Sequence, residues 1–359
     1  MARSVMSRYE PSQMMWHYEH GLVLQSILIL GEKIGSAEMC HWVKIMYDTK
    51  IKEDGSIDTY RRDEYNLDQI NPGKTLFLLH KKYGEEKYRT AIEALMEQLR
   101  HHPRTKTGGF WHKNIYPWQM WLDGVYMADV FHARYAAEYG DTVDFDDVVH
   151  QFVLMESRAR DRETGLLYHA WDEARKQLWA NPETGCSPHF WGRAMGWYCM
   201  ALADVLDIIS PEYQKHRESL EAIARRLVAP ILKFQDKKSG LWYQILDRPA
   251  NGQNYTESSA SCMFIYFLLK LIRMGVVSKI DKKLIEDAAL LAYQGILREK
   301  IHEDESGELH LIDTCSVAGL GGNPYRDGSY EYYLSEPKRT NDFKGLGSFI
   351  LASMEVESI

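Results

Sequence analysis

The sequence predicts an all-α fold, an (α/α)6 barrel of six helical hairpins, as a single domain over residues 1–359. Three observations carry this. Apolar residues recur at three- and four-residue spacing through most of the chain. A glycine-then-aromatic phrase returns between successive helices, and no Pro/Gly/Ser-rich linker divides the chain.

In chain order the periodicity predicts helices over 1–8, 13–33, 37–50, 71–83, 86–101, 119–139, 143–159, 188–209, 211–235, 256–275, 282–296 and 344–354. Asn71-Pro72 and Ser187-Pro188 each read as a helix start: a capping side chain is followed by proline, which needs no N–H there. The repeated phrase is Gly108-Gly109-Phe110-Trp111-His112, then Gly165-Leu166-Leu167-Tyr168-His169, then Gly240-Leu241-Trp242-Tyr243, with a fainter echo at Gly307-Glu308-Leu309-His310. Each follows one helix and precedes the next by a loop, as a turn joining an outer helix to an inner one would. Six hairpins closed on themselves make the barrel, and an open solenoid is the competing arrangement.

Composition excludes several functions. With 45% hydrophobic and 26% charged residues the chain can bury a sizeable core, and a net charge of -8 argues against nucleic acid as a partner. Five cysteines, odd in number and without a C-x-x-C pair, read as reduced, buried thiols. The apolar run Leu22 to Leu30, interrupted by Gln25 and Ser26, is too short to span a bilayer and a poor signal peptide. A cytoplasmic protein with no membrane partner is expected.

If the helix after each phrase is an inner one, six helix starts face one mouth. They are Trp16 to Gly21 (with Tyr18 as a sugar-binding candidate), Asn66 to Gly73, Tyr116 to Gly124, His189 to Trp197, Thr256 to Ser261 and Asn341 to Gly347. A pocket rich in Trp, Tyr and His with a few carboxylates suits a sugar, although Trp118, Trp121 and Trp191 also suit ordinary packing. Asp123, between Trp121-Leu122 and Gly124, has the apolar setting of a proton donor. Asp68 either caps a helix or forms the second carboxylate of an acid/base pair. His169 is a candidate for a sugar hydroxyl or a uronate. No Gly-x-Ser-x-Gly elbow, phosphate loop or His-Glu-x-x-His motif occurs, and His17 and His20 lack an evident third metal ligand.

Asn66 to Gly73, Trp121-Leu122-Asp123-Gly124-Val125-Tyr126-Met127-Ala128, Tyr168 to Asp172 and Phe190-Trp191-Gly192-Arg193-Ala194-Met195-Gly196-Trp197-Tyr198 together resemble glycoside hydrolase family 105, the unsaturated rhamnogalacturonyl hydrolases. Glu257 to Ser261 and Gly328 to Tyr333 extend the resemblance along nearly the whole chain. It implies an (α/α)6 barrel and substrates that carry a non-reducing-end 4,5-unsaturated uronic acid, in a disaccharide or other oligosaccharide. It implies no metal, and no cofactor is expected. Asp123 matches the family's general acid/base and Asp68 its second carboxylate. His112, Lys113, His169, Trp191, Arg193 and Trp197 fall at pocket positions, with Arg193 or Lys113 as partner for the uronate. The competing functions are a conventional inverting glycosidase or sugar epimerase on the same barrel, and a non-catalytic sugar-binding module.

Overall fold

A computed structural model of the chain describes residues 1–140, 142–248 and 253–359. Among these, thirteen α-helices follow in order: α1 (Ala2–Arg8), α2 (Tyr18–Lys33), α3 (Ala37–Asp48), α4 (Lys74–Tyr83), α5 (Glu86–Arg100), α6 (Leu122–Glu138), α7 (Thr142–Ala159), α8 (Gly192–Ile208), α9 (Gln214–Lys233), α10 (Ser258–Arg273), α11 (Lys279–Glu299), α12 (Tyr330–Ser335) and α13 (Phe343–Val356). Six short strands interrupt them: β1 (Gln119–Trp121), β2 (Ala170–Asp172), β3 (Ile301–Glu303), β4 (Leu309–Leu311), β5 (Thr314–Cys315) and β6 (Lys338–Arg339). They pair antiparallel as β1 with β2, β3 with β4 and β5 with β6.

Helices α2, α4, α6, α8, α10 and α13 stand side by side in a ring that closes from α13 back onto α2, with α3, α5, α7, α9 and α11 packed outside. The closed ring, not the open solenoid, is therefore the arrangement. Composition explains which helix goes where. In α10 every residue from Ser258 to Ile272 is buried, so it tolerates neighbours on all sides. In α5 one stripe (Tyr88, Ala91, Ile92, Leu95, Leu99) is buried while Arg89, Ala94 and Arg100 meet water, as suits an outer helix. Inner elements approach closely: a Cβ on Gly21 would lie 2.7 Å from the Pro72 Cα, so only glycine lets α2 pass the turn before α4.

The repeat has a backbone cause. Gly108, Gly165, Gly240 and Gly307 all lie at φ between 76° and 94°, where a side chain is strained. In two copies the same aspartate closes the turn: Asp161 accepts from the Thr164 N–H and hydroxyl, and Asp236 from those of Ser239, all at 2.7 Å.

The twelve expected helices are present, but several begin later than periodicity indicates. Residues 119–121 form β1 instead of opening α6, and α8 starts at Gly192 rather than Pro188. Ser187 does not cap it; the Ser187 hydroxyl accepts from the Ala170 N–H at 3.1 Å, tying down β2. Asn71-Pro72-Gly73 is a 3-10 turn ahead of α4, and the Asn71 side chain gives its N–H to the Tyr126 carbonyl instead of capping. Helix α12, six residues capped by Ser329, is too short to show a period. All five cysteines are buried and unpaired. No helix among the described residues is long and apolar enough to cross a membrane.

Candidate active site

The chain segments entering the inner helices are stitched to one another. Leu67 donates its N–H to the His112 carbonyl (3.2 Å), Leu122 to that of His169 (3.0 Å), and Gly192 to that of Gln244 (2.9 Å). Each bond sets the segment leading into one inner helix beside the start of the inner helix before it. Asp68 is thereby set beside His112 and Lys113, and Asp123 beside His169.

Asp68 sits in a 3-10 turn over Leu67–Gln69, where Asn66 accepts from its N–H at 3.0 Å. Asn66, not Asp68, therefore caps this turn. The Asp68 carboxylate is 2.5 Å from the Lys113 ammonium and 3.6 Å from His112 Nε2. Burial, the largest influence, opposes its charge, but Lys113 together with His112 and His17 outweighs it and holds the carboxyl below the ordinary aspartate range. Asp123, second residue of α6, has Oδ2 3.3 Å from His169 Nε2 and no hydrogen-bond partner on that oxygen. The Asp123 and Asp68 side chains keep 12% and 8% of their surface exposed, although Asp123 Oδ2 itself is buried.

The two carboxylates share surroundings. The Tyr18 phenol, at the start of α2, has Asp68, Arg193 and Asp123 among its electrostatic neighbours, and the His112 ring feels both aspartates. His112 stacks on Trp121 (centroids 4.5 Å apart, 10° between planes), and Trp121 stacks in turn on Tyr116 at 5.0 Å. Burial pushes His112 down to about 4, leaving it neutral beside the ion pair. His169 is fixed from behind by the Tyr333 hydroxyl, 2.7 Å from Nδ1.

Trp191, Arg193 and Trp197 are buried, and their contacts are with protein. Trp191 donates Nε1–H to Gln244 at 3.1 Å, and Trp197 stacks on Tyr126 at 4.7 Å. The Arg193 guanidinium bonds to the Cys315 and Ser316 carbonyls and lies 3.9 Å from the Glu257 carboxylate. Tyr333 escaped the sequence reading of the site, although it lies in the Gly328 to Tyr333 segment. Glu19 and Lys344, second residues of α2 and α13 and 2.5 Å apart, escaped it too, because an ion pair joining the two ends of a chain leaves no local pattern. His20 Nδ1 bonds to the Tyr9 hydroxyl.

Burial also lowers His20 and His102 to about 4. The unfolded chain takes up these protons near pH 6.5, whereas the folded one refuses them until near pH 4. Stability is therefore expected to fall as pH drops through that window, seen as a lower midpoint of thermal unfolding at about pH 5 than at about pH 7.

A model of Glycosyl Hydrolase Family 88 matches residues 1–359. A family 105 glycoside hydrolase from C. acetobutylicum ATCC 824 is 46% identical, and its structure superposes with a TM-score of 0.96 over all of this chain and 98% of that one. Protein Atu3128 of Agrobacterium fabrum is 40% identical over 224 residues, covering 61% of this chain and 94% of that protein. The unsaturated rhamnogalacturonyl hydrolase YesR of Bacillus subtilis is 29% identical over 253 residues, 68% of each. With that model spanning its whole length and a helical ring bringing two carboxylates together at the inner-helix starts, the chain belongs to glycosyl hydrolase family 88 and is a glycoside hydrolase.

Proposed function

We propose that this glycoside hydrolase is an unsaturated rhamnogalacturonyl hydrolase, removing a 4,5-unsaturated uronic acid from the non-reducing end of a lyase-generated disaccharide. The observation that carries the reading is the convergence of Asp68 and Asp123, one held ionised by Lys113 and the other facing His169. YesR, active on unsaturated rhamnogalacturonyl substrates by its name, supports the substrate class.

The unsaturated sugar is an enol ether whose nucleophilic carbon is C4, so the reaction begins with a proton delivered to carbon. Asp123, in its acid form, gives that proton to C4, and positive charge spreads over C5 and the ring oxygen. Water adds at C5 while the Asp123 carboxylate takes its proton, which restores the acid. The C5 hemiketal then opens, the hemiacetal at C1 collapses, and the aglycone leaves. Asp68 orients the sugar hydroxyls or the attacking water. Lys113, whose side chain is 23% exposed, has N–H donors to spare for the uronate. Tyr18 and His112 border the ring, His169 lies against Asp123, and the buried Trp191, Arg193 and Trp197 hold these groups in place.

Lys113→Met is expected to raise KM for the uronide. With the cation gone, burial pushes the Asp68 carboxyl up, so the acidic limb of kcat/KM moves to higher pH. Profiles measured from about pH 4 to pH 8 check this, and an unmoved limb removes Lys113 from the role. The reading as a whole is tested with a panel of lyase-generated disaccharides, including unsaturated galacturonyl-rhamnose, followed by loss of alkene absorbance. Turnover of a saturated glycoside would select the conventional glycosidase instead, and tight binding without product the sugar-binding module.

A further inference from the structure

The far end of the barrel holds a second cavity. The site above sits at the N-terminal ends of the inner helices, whereas a cavity of about 460 Å³ opens between the later turns of α2, α6, α8, α10 and α13, with the shorter α4 entering by its N-terminal half. Gln25 of α2, Leu78 of α4, Val130 of α6, Asp204 of α8, Tyr266 of α10 and Leu351 of α13 all line it. That volume lies within the range of small-molecule sites.

Lys74, first residue of α4, also lines the cavity. It is 3% exposed, its Nζ has no hydrogen-bond partner, and that nitrogen stands 3.5 Å above the centroid of the Tyr126 ring. The Tyr126 hydroxyl is buried and likewise unpartnered, with Asp204, Tyr266 and Lys270 as its electrostatic neighbours. A buried donor without an acceptor is costly, and a buried unpaired ammonium more so. Two such donors side by side call for an acceptor carrying negative charge.

The other charges on the wall are already engaged. Lys270 pairs with Asp204 at 2.8 Å and Asp207 at 3.2 Å, and Arg273 pairs with Glu355 at 2.8 Å. The Tyr266 hydroxyl donates to Asp204 at 2.5 Å. Lys33 donates to the Met354 carbonyl and the Ser358 hydroxyl, both at 2.8 Å, at the end of α13. At the rim Glu32 faces Lys82 at 3.7 Å and Arg134 faces Glu138 at 3.9 Å. Among the described residues of the wall, Lys74 is the cation left over.

We propose that this cavity binds a small sugar acid, its carboxylate received by Lys74 and Tyr126 and its hydroxyls by the acceptors of the wall. The engaged carboxylates of Asp204, Asp207 and Glu355 and the amide of Gln25 offer acceptors to hydroxyl groups but repel a second negative charge, which selects a monoanion with a polyol body. Burial, opposed by Asp204 and reinforced by Lys270, lowers the Lys74 amine to about 7. An arriving carboxylate favours the charged amine, so binding above neutral pH draws a proton into the protein. The proposal stands independently of the substrate assigned to Asp123.

Calorimetric titration of the full-length protein with sodium D-gluconate at about pH 8, in two buffers of different ionisation enthalpy, tests it. Binding is expected with uptake of nearly one proton, and D-glucose should give no heat. Lys74→Met keeps the stem and removes the charge; it is expected to weaken gluconate roughly tenfold or more and abolish the proton uptake. Tyr126→Phe, which loses only the hydroxyl, should weaken binding severalfold, and Lys113→Met at the other mouth should leave it unchanged. No gluconate heat up to about 10 mM, wild-type binding by Lys74→Met, or equal binding of glucose would each overturn the proposal.

Discussion

Asp123→Asn is expected to lower kcat on the unsaturated disaccharide by about 10²- to 10⁴-fold, the usual worth of a positioned proton donor. Asparagine keeps the shape of the side chain, so its place beside His169 and the exposure of the pocket should change little. The amide has no acidic proton to give to C4 and no basic oxygen strong enough to recover one from water. The loss should fall on kcat and kcat/KM together, because the missing interaction exists only in the transition state. Steady-state rates from alkene absorbance, with circular dichroism to confirm the fold, decide the matter. Near-wild-type turnover would remove Asp123 from the chemistry.

The largest effect on stability is expected at Arg193. Its guanidinium is 1% exposed, tied to the Cys315 and Ser316 carbonyls, and set against Glu257, which is wholly buried. Glu257 caps α10 by accepting from the Ala260 N–H at 2.6 Å and also takes the Cys315 N–H at 2.9 Å. Arg193→Met leaves that buried carboxylate without its counter-ion, at a cost of about 3–5 kcal/mol, a large part of a typical total of about 5–15 kcal/mol. In urea unfolding the double variant Arg193→Met/Glu257→Gln should recover part of the loss, since removing both charges leaves neither stranded. Activity should fall with stability. Gln244, which bonds to Trp191, also donates to the Cys315 sulfur and the Tyr333 carbonyl, and Tyr333 holds His169.

Much of this was legible locally. The helices recur at a period set by side-chain contact, and the four repeat glycines occupy a backbone region that other residues enter at a cost. The six inner-helix starts could be read as one mouth because polar and aromatic residues cluster there. Where the reading slipped, tertiary pairing was the reason. Residues 119–121 have helical spacing yet lie extended, because their partners at 170–172, some fifty positions on, offer a ladder. Ser187-Pro188 has the chemistry of a helix start, but β2 takes the serine hydroxyl first. Tyr333 gave no signal of its own, since its meaning lies in a histidine 164 positions away.

The sequence alone determined the helical class and singled out Asp68 and Asp123 as a candidate pair, since periodicity, turn chemistry and residue type act over a few neighbouring positions. Only the tertiary structure decided which groups face each other. Lys113 is a charge until the bridge between residues 66 and 113 brings it to Asp68, and only the closed ring shows Arg193 tied to the Cys315 and Ser316 carbonyls and set against Glu257. Lys74 is an ordinary helix residue in the sequence and a stranded ammonium in the barrel. Burial and the approach of charges depend on distance in space, and chain order does not encode that distance locally.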